Sequence, residues 1–525
     1  MDIIDNICDK LNVEKIRSKI SPIDNIKLVH DIISDKSIIK QTIKSNYFNE
    51  KYNSDEYKFI FDTLLNPDYE KVIYLLNNHY INMFLDIYFV IGNVYLFNEE
   101  MFEIIYKNRK FINLIPDIIK KCWANIFKYK LDKFYNNELI HKWIKTSEFK
   151  LITLDKFLAV HTNQDLYSKY LEIYNIFDKN VCELKRFIIQ LENKIKTTHN
   201  PGCINLLPNM YFYFIRLHTG LNITTHKQIQ ILLRWASKEL NQLEKTQYDL
   251  IVKVRPDLSG KTLKEMIKIL HDDPQYKYKT KEEFVNNHKR IINEAHEYFI
   301  DFNNIKEYVK PKLTTIEDAN LAGAYWAFDT FYLNTINWNS INKYEALALT
   351  LHEAVPGHHT QINYSVYSKS TEINIIYHLF GMTNGFSEGW ALFTEKIGPK
   401  YTDYERIGQL QYEILRTLRV IVDIAIHVGG YGPTDIINYM KDHLAMPLAS
   451  IESEVYRYIT IPGQALCYKI GCEIFRYIYK RYGGANYGDE KSFDLYKKII
   501  YGKEKALTFL LKEYNIIFEE VFTKV

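Results

Sequence analysis

Three histidines and a glutamate fall within eight residues in the stretch Leu351-His352-Glu353-Ala354-Val355-Pro356-Gly357-His358-His359-Thr360-Gln361. Imidazole nitrogens and carboxylate oxygens at this density are what a divalent transition metal takes as ligands. A glutamate beside the first histidine is suited to accept a proton from a water activated at such a metal. The helical zinc-hydrolase signature His-Glu-x-x-His sets its second histidine one turn after the first. Here that position is Pro356.

On a straight helix, seven residues return a side chain to nearly the same face, and six leave it roughly 120° away. Pro356 removes a backbone donor and disfavours helical geometry at Val355, while Gly357 loosens the next residue, so a straight helix is not expected. Spacing alone therefore leaves His358 and His359 both open as the second ligand. A catalytic zinc takes three protein ligands and keeps a fourth position for water. Glu388 in Phe386-Ser387-Glu388-Gly389-Trp390-Ala391-Leu392-Phe393 is the candidate third ligand; it follows His358 by 30 residues, room for a helix, a turn and the start of a second helix.

Helices are expected to carry these groups. Apolar residues recur at three- and four-residue spacing over 181–196 and 227–243, with Thr224-Thr225-His226 offering caps before the second segment. The run 344–352 reads as the helix that presents His352. One patch, 327–335, is rich in aromatic residues and threonine and reads as a strand beside that helix. Two readings of it stay open: a strand that pairs with an extended peptide, and a core strand or irregular loop. Tyr332 and Asn334 on it, and His359 beside the metal ligands, are the candidate substrate contacts. Arg419, Asp423 and His427 share one helix face, as do Glu454, Arg457 and Tyr458. A cation or a phenol there suits the stabilisation of developing negative charge. Pro201-Gly202 and Pro208-Asn209 mark a soft boundary, dividing a helical region 1–204 from a catalytic region 205–525, or interrupting one continuous domain.

The blocks HEAVPGHHTQ and SEGWAL, with Asp272-Asp273-Pro274-Gln275-Tyr276, Thr330-Phe331-Tyr332-Leu333-Asn334-Thr335 and Arg457-Tyr458-Ile459-Thr460-Ile461-Pro462-Gly463-Gln464-Ala465, resemble domain-of-unknown-function family 885, zincin-like metallopeptidase relatives. The resemblance covers about residues 205–525. It implies a mainly α, large helical zincin-like fold with a small β-sheet beside the metal-site helix and a deep cleft. It implies one zinc ion on His352, His358 and Glu388, with His358 chosen over His359 because the family tolerates tyrosine at the latter position. It further implies Glu353 as general base, and Arg457, Tyr458 or His427 as donor to the oxyanion, with Tyr468 a weaker candidate. The expected activity is hydrolysis of peptide bonds. The alternative is a binding or structural protein that keeps the fold without catalysis.

Composition narrows the field from the other side. The 525 residues are 47% hydrophobic and 25% charged, as in an ordinary folded protein. A net charge of +3, with 54 lysines to 13 arginines, gives no field for nucleic acid or an anionic membrane. The longest apolar stretch, 81–97, holds Asn82, Asp86 and Asn93 and reads as a buried helix. Six scattered cysteines, none in a C-x-x-C pair, and an acidic start without a basic-then-apolar leader predict a soluble cytoplasmic protein. Gly385-Phe386-Ser387-Glu388-Gly389 matches G-x-S-x-G, but the strand–helix alternation a serine hydrolase needs is missing. A di-iron bundle needs two Glu-x-x-His pairs, and only Glu138–His141 is present.

Overall fold

The computed structural model describes residues 208–523 except 224, 302–309, 318–322, 328–329, 368–383, 398–400, 485–486, 488–489 and 502–506, together with scattered residues before 208. The chain divides into two compact units, residues 1–13 with 214–525, and residues 14–213. The first unit carries every candidate site residue. The apolar stretch 81–97, the Glu138–His141 pair and most of the helix expected over 181–196 lie outside the described residues.

Helix α1, His226–Val254, starts where Thr225 and Gln228 cap each other reciprocally, each side chain accepting from the other's backbone N–H. Its buried Ile229, Leu232, Leu233, Ala236, Leu240 and Leu243 form the apolar stripe read from the sequence. Helices α2, Leu263–Asp272, and α3, Lys281–His296, follow. Strands β1, Lys312–Ile316, β2, Ala324–Ala327, and β3, Thr330–Asn334, make one sheet in the order β1-β3-β2. β3 runs parallel to β1 and antiparallel to β2.

Helix α4, Ala346–Glu353, and helix α5, His358–Tyr367, hold the first motif; helix α6, Asn384–Thr394, holds the second. Helix α7, Asp403–Ile424, is capped by a Thr402–Glu405 box, packs along α1 and is buried over most of its length. Helices α8, Pro433–His443, α9, Leu448–Thr460, and α10, Cys467–Tyr482, complete the frame around the site.

The closest packing is between α6 and α10. A Cβ on Gly389 would fall within van der Waals contact of the Gly471 backbone, and one on Gly471 would strike the Gly385 carbonyl. Only hydrogen at these positions lets the two backbones meet. Around the crossing, the Phe475 ring takes edge contacts from Phe386 at 5.2 Å and Trp390 at 5.5 Å. Such aromatic pairs add about 0.5–1.5 kcal/mol each beyond the area they bury. The crossing fixes Glu388, one residue before Gly389, and Tyr468, three residues before Gly471, with respect to each other.

Two expectations about the strand patch change. The sequence predicts 327–335 as one strand beside the metal-site helix, open either to pairing with a peptide or to a place in the core. The structure divides it: β2 ends at Ala327 and β3 begins at Thr330. β3 is central, with both hydrogen-bonding edges occupied, so a peptide has no free edge there. The strand that packs on α4 and α5 is β2.

Candidate metal centre

The Pro-Gly insertion ends one helix and starts another. α4 stops at Glu353, residues 354–357 bend around a cis Val355–Pro356 bond, and α5 begins at His358. Gly357 lies so close to the Leu351 and His352 carbonyls that any Cβ would overlap them. The Trp390 indole of α6 donates to the Pro356 carbonyl at 2.8 Å and holds the bend. The chain thereby doubles back, and the His352 and His358 rings meet nearly perpendicular with centroids 5.0 Å apart.

The same break turns His359 the other way. It is fully buried, its Nδ1 accepts the Trp326 indole N–H at 2.9 Å, and Asn363 packs against it. His358 faces the cluster, and His359 props the edge strand β2.

Glu388 completes a triangle. Its Oε2 stands 3.5 Å from His352 Nε2 and 3.4 Å from His358 Nε2. Ligand atoms around a tetrahedral zinc at 2.0–2.1 Å are separated by about 3.3 Å, and the two Glu388–imidazole separations are close to that. The remaining imidazole nitrogens set the tautomers. His352 Nδ1 bonds Glu395 Oε1 at 2.8 Å, and His358 Nδ1 bonds the Ser387 hydroxyl at 3.3 Å, which itself donates to Gln361 Oε1. With Nδ1 donating in both, each Nε2 is left facing Glu388, to carry a proton towards the carboxylate or to offer a lone pair to a cation.

Glu353 has its ligand atoms within 4.8 Å of those of both histidines. Its Oε2 accepts the backbone N–H of Trp326 from β2 at 3.0 Å. Side-chain exposure falls from 21% at Glu388 through 12% at His358 to 4% at His352. Among the described residues Glu388 is thus the most exposed of the three and His352 the least.

Three carboxylates, Glu353, Glu388 and Glu395, surround the two imidazoles. Among the described residues, no lysine or arginine forms an ion pair with any of them. Glu395 is buried, and its Oε2 has no hydrogen-bond partner. The protonation pattern reflects this shortage of positive charge. Burial works against a charged His352, yet the Glu388 and Glu395 carboxylates overcome it and push the imidazole up to about 9. Burial also opposes a charged Glu388, but its two histidine partners hold it well below the ordinary range. Burial raises Glu353, against the pull of His358 and His352. Protons on imidazole stand where a divalent cation would serve better.

The later candidates separate. The Tyr468 ring on α10 stacks on the His352 imidazole at 6.4 Å and 18°. Burial and the Glu388 charge raise its phenol. Tyr458 is fully buried and gives its hydroxyl to Glu454, with Arg419 Nε 3.1 Å away. His427 donates Nε2–H to the Tyr458 carbonyl at 2.9 Å. Arg457 binds Glu454 and Gln464, both at 3.2 Å, and lies 6.0 Å from the Tyr468 ring. Tyr468 is thus the phenol beside the ligands, while Tyr458 and His427 belong to the network behind it. On β3, Tyr332 stacks on Tyr325 at 5.0 Å, and Asn334 is buried with its Oδ1 accepting from Ile336 N–H.

Glu395 and Ser387 escaped the sequence reading. Both leave a trace there: Glu395 follows Glu388 by seven residues, the return to one helix face, and Ser387 precedes it directly.

Residues 183–495 match the model of a family described as "Bacterial protein of unknown function (DUF885)". No curated protein matches the sequence. Two solved structures, each described as a "putative lipoprotein", share the fold. The one from Colwellia psychrerythraea is 16% identical with a TM-score of 0.61, covering 99% of each chain. The one from Shewanella oneidensis, "of unknown function", is 17% identical with a TM-score of 0.56, covering 97% of this chain and 96% of the other. Among the described residues no helix is long and apolar enough to cross a membrane.

Proposed function

We propose that this chain, which belongs to the DUF885 family, is a zinc-dependent peptidase of zincin-like construction with its reaction centre in a cleft. One observation carries the reading. One carboxylate oxygen lies close to tetrahedral-zinc spacing from two imidazole Nε2 atoms, in a buried acidic cluster that forms no ion pair with lysine or arginine among the described residues. His352, His358 and Glu388 would hold the ion, and Glu395 and Ser387 would orient the two imidazoles.

A bound zinc would supply a Lewis acid for the peptide carbonyl and for an attacking water. Glu353, beside the ligands and lifted by burial, would take the proton of that water and return it to the departing amine. The Trp326 N–H holds the Glu353 carboxylate in place. The edge strand β2, against α4 and α5, is the better candidate than β3 for aligning an extended peptide. The Tyr468 phenol, with Arg457 behind it, is placed to stabilise charge developing on the carbonyl oxygen.

For this chain, the free thiols of Cys182, Cys467 and Cys472 favour a reducing compartment such as the cytoplasm.

Metal analysis of the purified protein, with peptide turnover by wild type and Glu353→Gln, tests the reading. One zinc per chain, and turnover lost in the variant with zinc retained, are expected. Protein without zinc would sink the site. Turnover unchanged in Glu353→Gln would sink the assigned base. Zinc without turnover on any peptide would leave the non-catalytic alternative.

A further inference from the structure

Three guanidinium groups lie one aromatic ring away from the metal ligands. Tyr412, Arg416 and Arg419 follow one another along a single face of α7. The Tyr468 ring, whose flat side meets His352, has the Arg419 guanidinium 4.6 Å from its centroid, Arg416 at 5.9 Å and Arg457 at 6.0 Å. Glu454 is ion-paired with this group, to Arg419 at 2.8 Å and Arg457 at 3.2 Å.

Arg416 has no acid among the described residues. It is nine-tenths buried. Its one hydrogen bond there runs from NH1 to the Tyr412 carbonyl at 3.4 Å, and its Nε has no partner. Contacts with the Tyr412 and Tyr468 rings, at 4.8 and 5.9 Å, offset part of the cost of burying a group that stays charged at every relevant pH. The planar fork of a guanidinium matches a carboxylate and binds it through two parallel hydrogen bonds.

We infer that Arg416 receives a carboxylate of the peptide substrate, so that cleavage at the metal centre is directed to a bond close to that charge, as in a carboxy-terminal exopeptidase. The inference rests on the peptidase reading and adds to it a substrate class. Chemically it needs no new step, because the carboxylate is bound and not transformed. The same fork would accept a terminal carboxylate or an aspartate side chain, and the test separates these sources.

The experiment is calorimetric binding to zinc-loaded Glu353→Gln protein. It uses one peptide as the free acid, as the carboxy-terminal amide, and as an amide ending in aspartate. The free acid should bind at least about tenfold more tightly than the plain amide, as befits a charge-assisted pair. Adding Arg416→Gln should bring that ratio near one with zinc content unchanged, and Arg416→Lys, the variant safer for folding, should leave an intermediate ratio. An aspartate amide as tight as the free acid would assign the charge to a side chain. Equal binding of acid and amide to zinc-loaded protein, or a preference that survives both Arg416 variants, would overturn the inference and leave the peptidase reading standing. A wild type that holds no zinc would end both.

Discussion

Two buried acidic clusters sit in the same compact unit and have opposite electrostatics. In one, Glu239, Glu413 and Glu473 close around the ammonium of Lys469, at 2.8, 2.6 and 3.2 Å, with all four side chains at most 5% exposed. Lys396 adds a second cation on Glu413 and Arg476 a third, on Glu239 and Glu473. Three anions meet three cations. In the other, Glu353, Glu388 and Glu395 enclose two imidazoles and meet no lysine or arginine among the described residues. By ligand spacing alone both qualify as cation sites. The difference lies in the positive charge: lysine and arginine supply it in one cluster, and among the described residues only imidazole, with His352 held up to about 9, offers it in the other.

The sharpest way to break the contrast is to remove Glu353. Glu353→Gln should lower peptide turnover by roughly 10²–10⁴-fold, the range for loss of a general base, while zinc content holds. A comparable fall from Lys469→Met in fully folded protein would erase the distinction between the clusters. Lys469→Met should act on stability instead. It strands three buried carboxylates on two remaining cations and should cost about 3–5 kcal/mol by chemical denaturation.

Glu395→Gln comes next. The glutamine still accepts from His352 but has lost the charge, so zinc affinity by competitive chelation should fall about 10–100-fold. Unchanged affinity would show that the carboxylate behind His352 plays no part in tuning the site.

Acidity sharpens the comparison further. Although burial opposes it, Lys396 and Lys469 hold the Glu413 carboxyl well below its ordinary 4.5. Its stabilising contribution is complete above that value and is lost as pH falls through the folded-state value. Burial likewise opposes a charged Lys469, but its three glutamates hold it well above 10.5, so its contribution is complete below that value and lost at higher pH. The Lys469 cluster should therefore contribute evenly from about pH 5 to about pH 10 and weaken only in acid or strong alkali. In Lys469→Met the stability profile should change shape in acid, and overlapping wild-type and mutant curves would refute the coupling. The smallest effect is expected from Trp326→Phe. It removes the indole bond to His359 and should cost about 1 kcal/mol without changing zinc content.

The candidate cluster was readable because side-chain chemistry and short spacings encode it. His352, Glu353, His358 and Glu388 were all visible, and the stripe of α1 followed from its three- and four-residue repeat. The choice between His358 and His359 was hidden from spacing, since a broken helix has no fixed angle per residue. The strand patch left two readings open because aromatic and threonine content marks a strand without saying whether it lies at an edge or in the middle; the structure puts Thr330–Asn334 in the middle. Tyr458 looked stronger than Tyr468 for a related reason: Tyr468 reaches His352 through a helix crossing set by Gly389 and Gly471, two residues that show no chemistry in a sequence.

The bond from the Trp390 indole to the Pro356 carbonyl makes one mechanical part of two segments far apart in sequence. The anchor for the bend comes from the same turn of helix as the third ligand, so the bite angle of the two histidines and the position of Glu388 share a single reference point. A graft that carried only the first block into another scaffold would bring the donor atoms without the strut that spaces them. The portable unit is the pair of blocks with its Gly389–Gly471 seat, and variation in either block is answerable to the other.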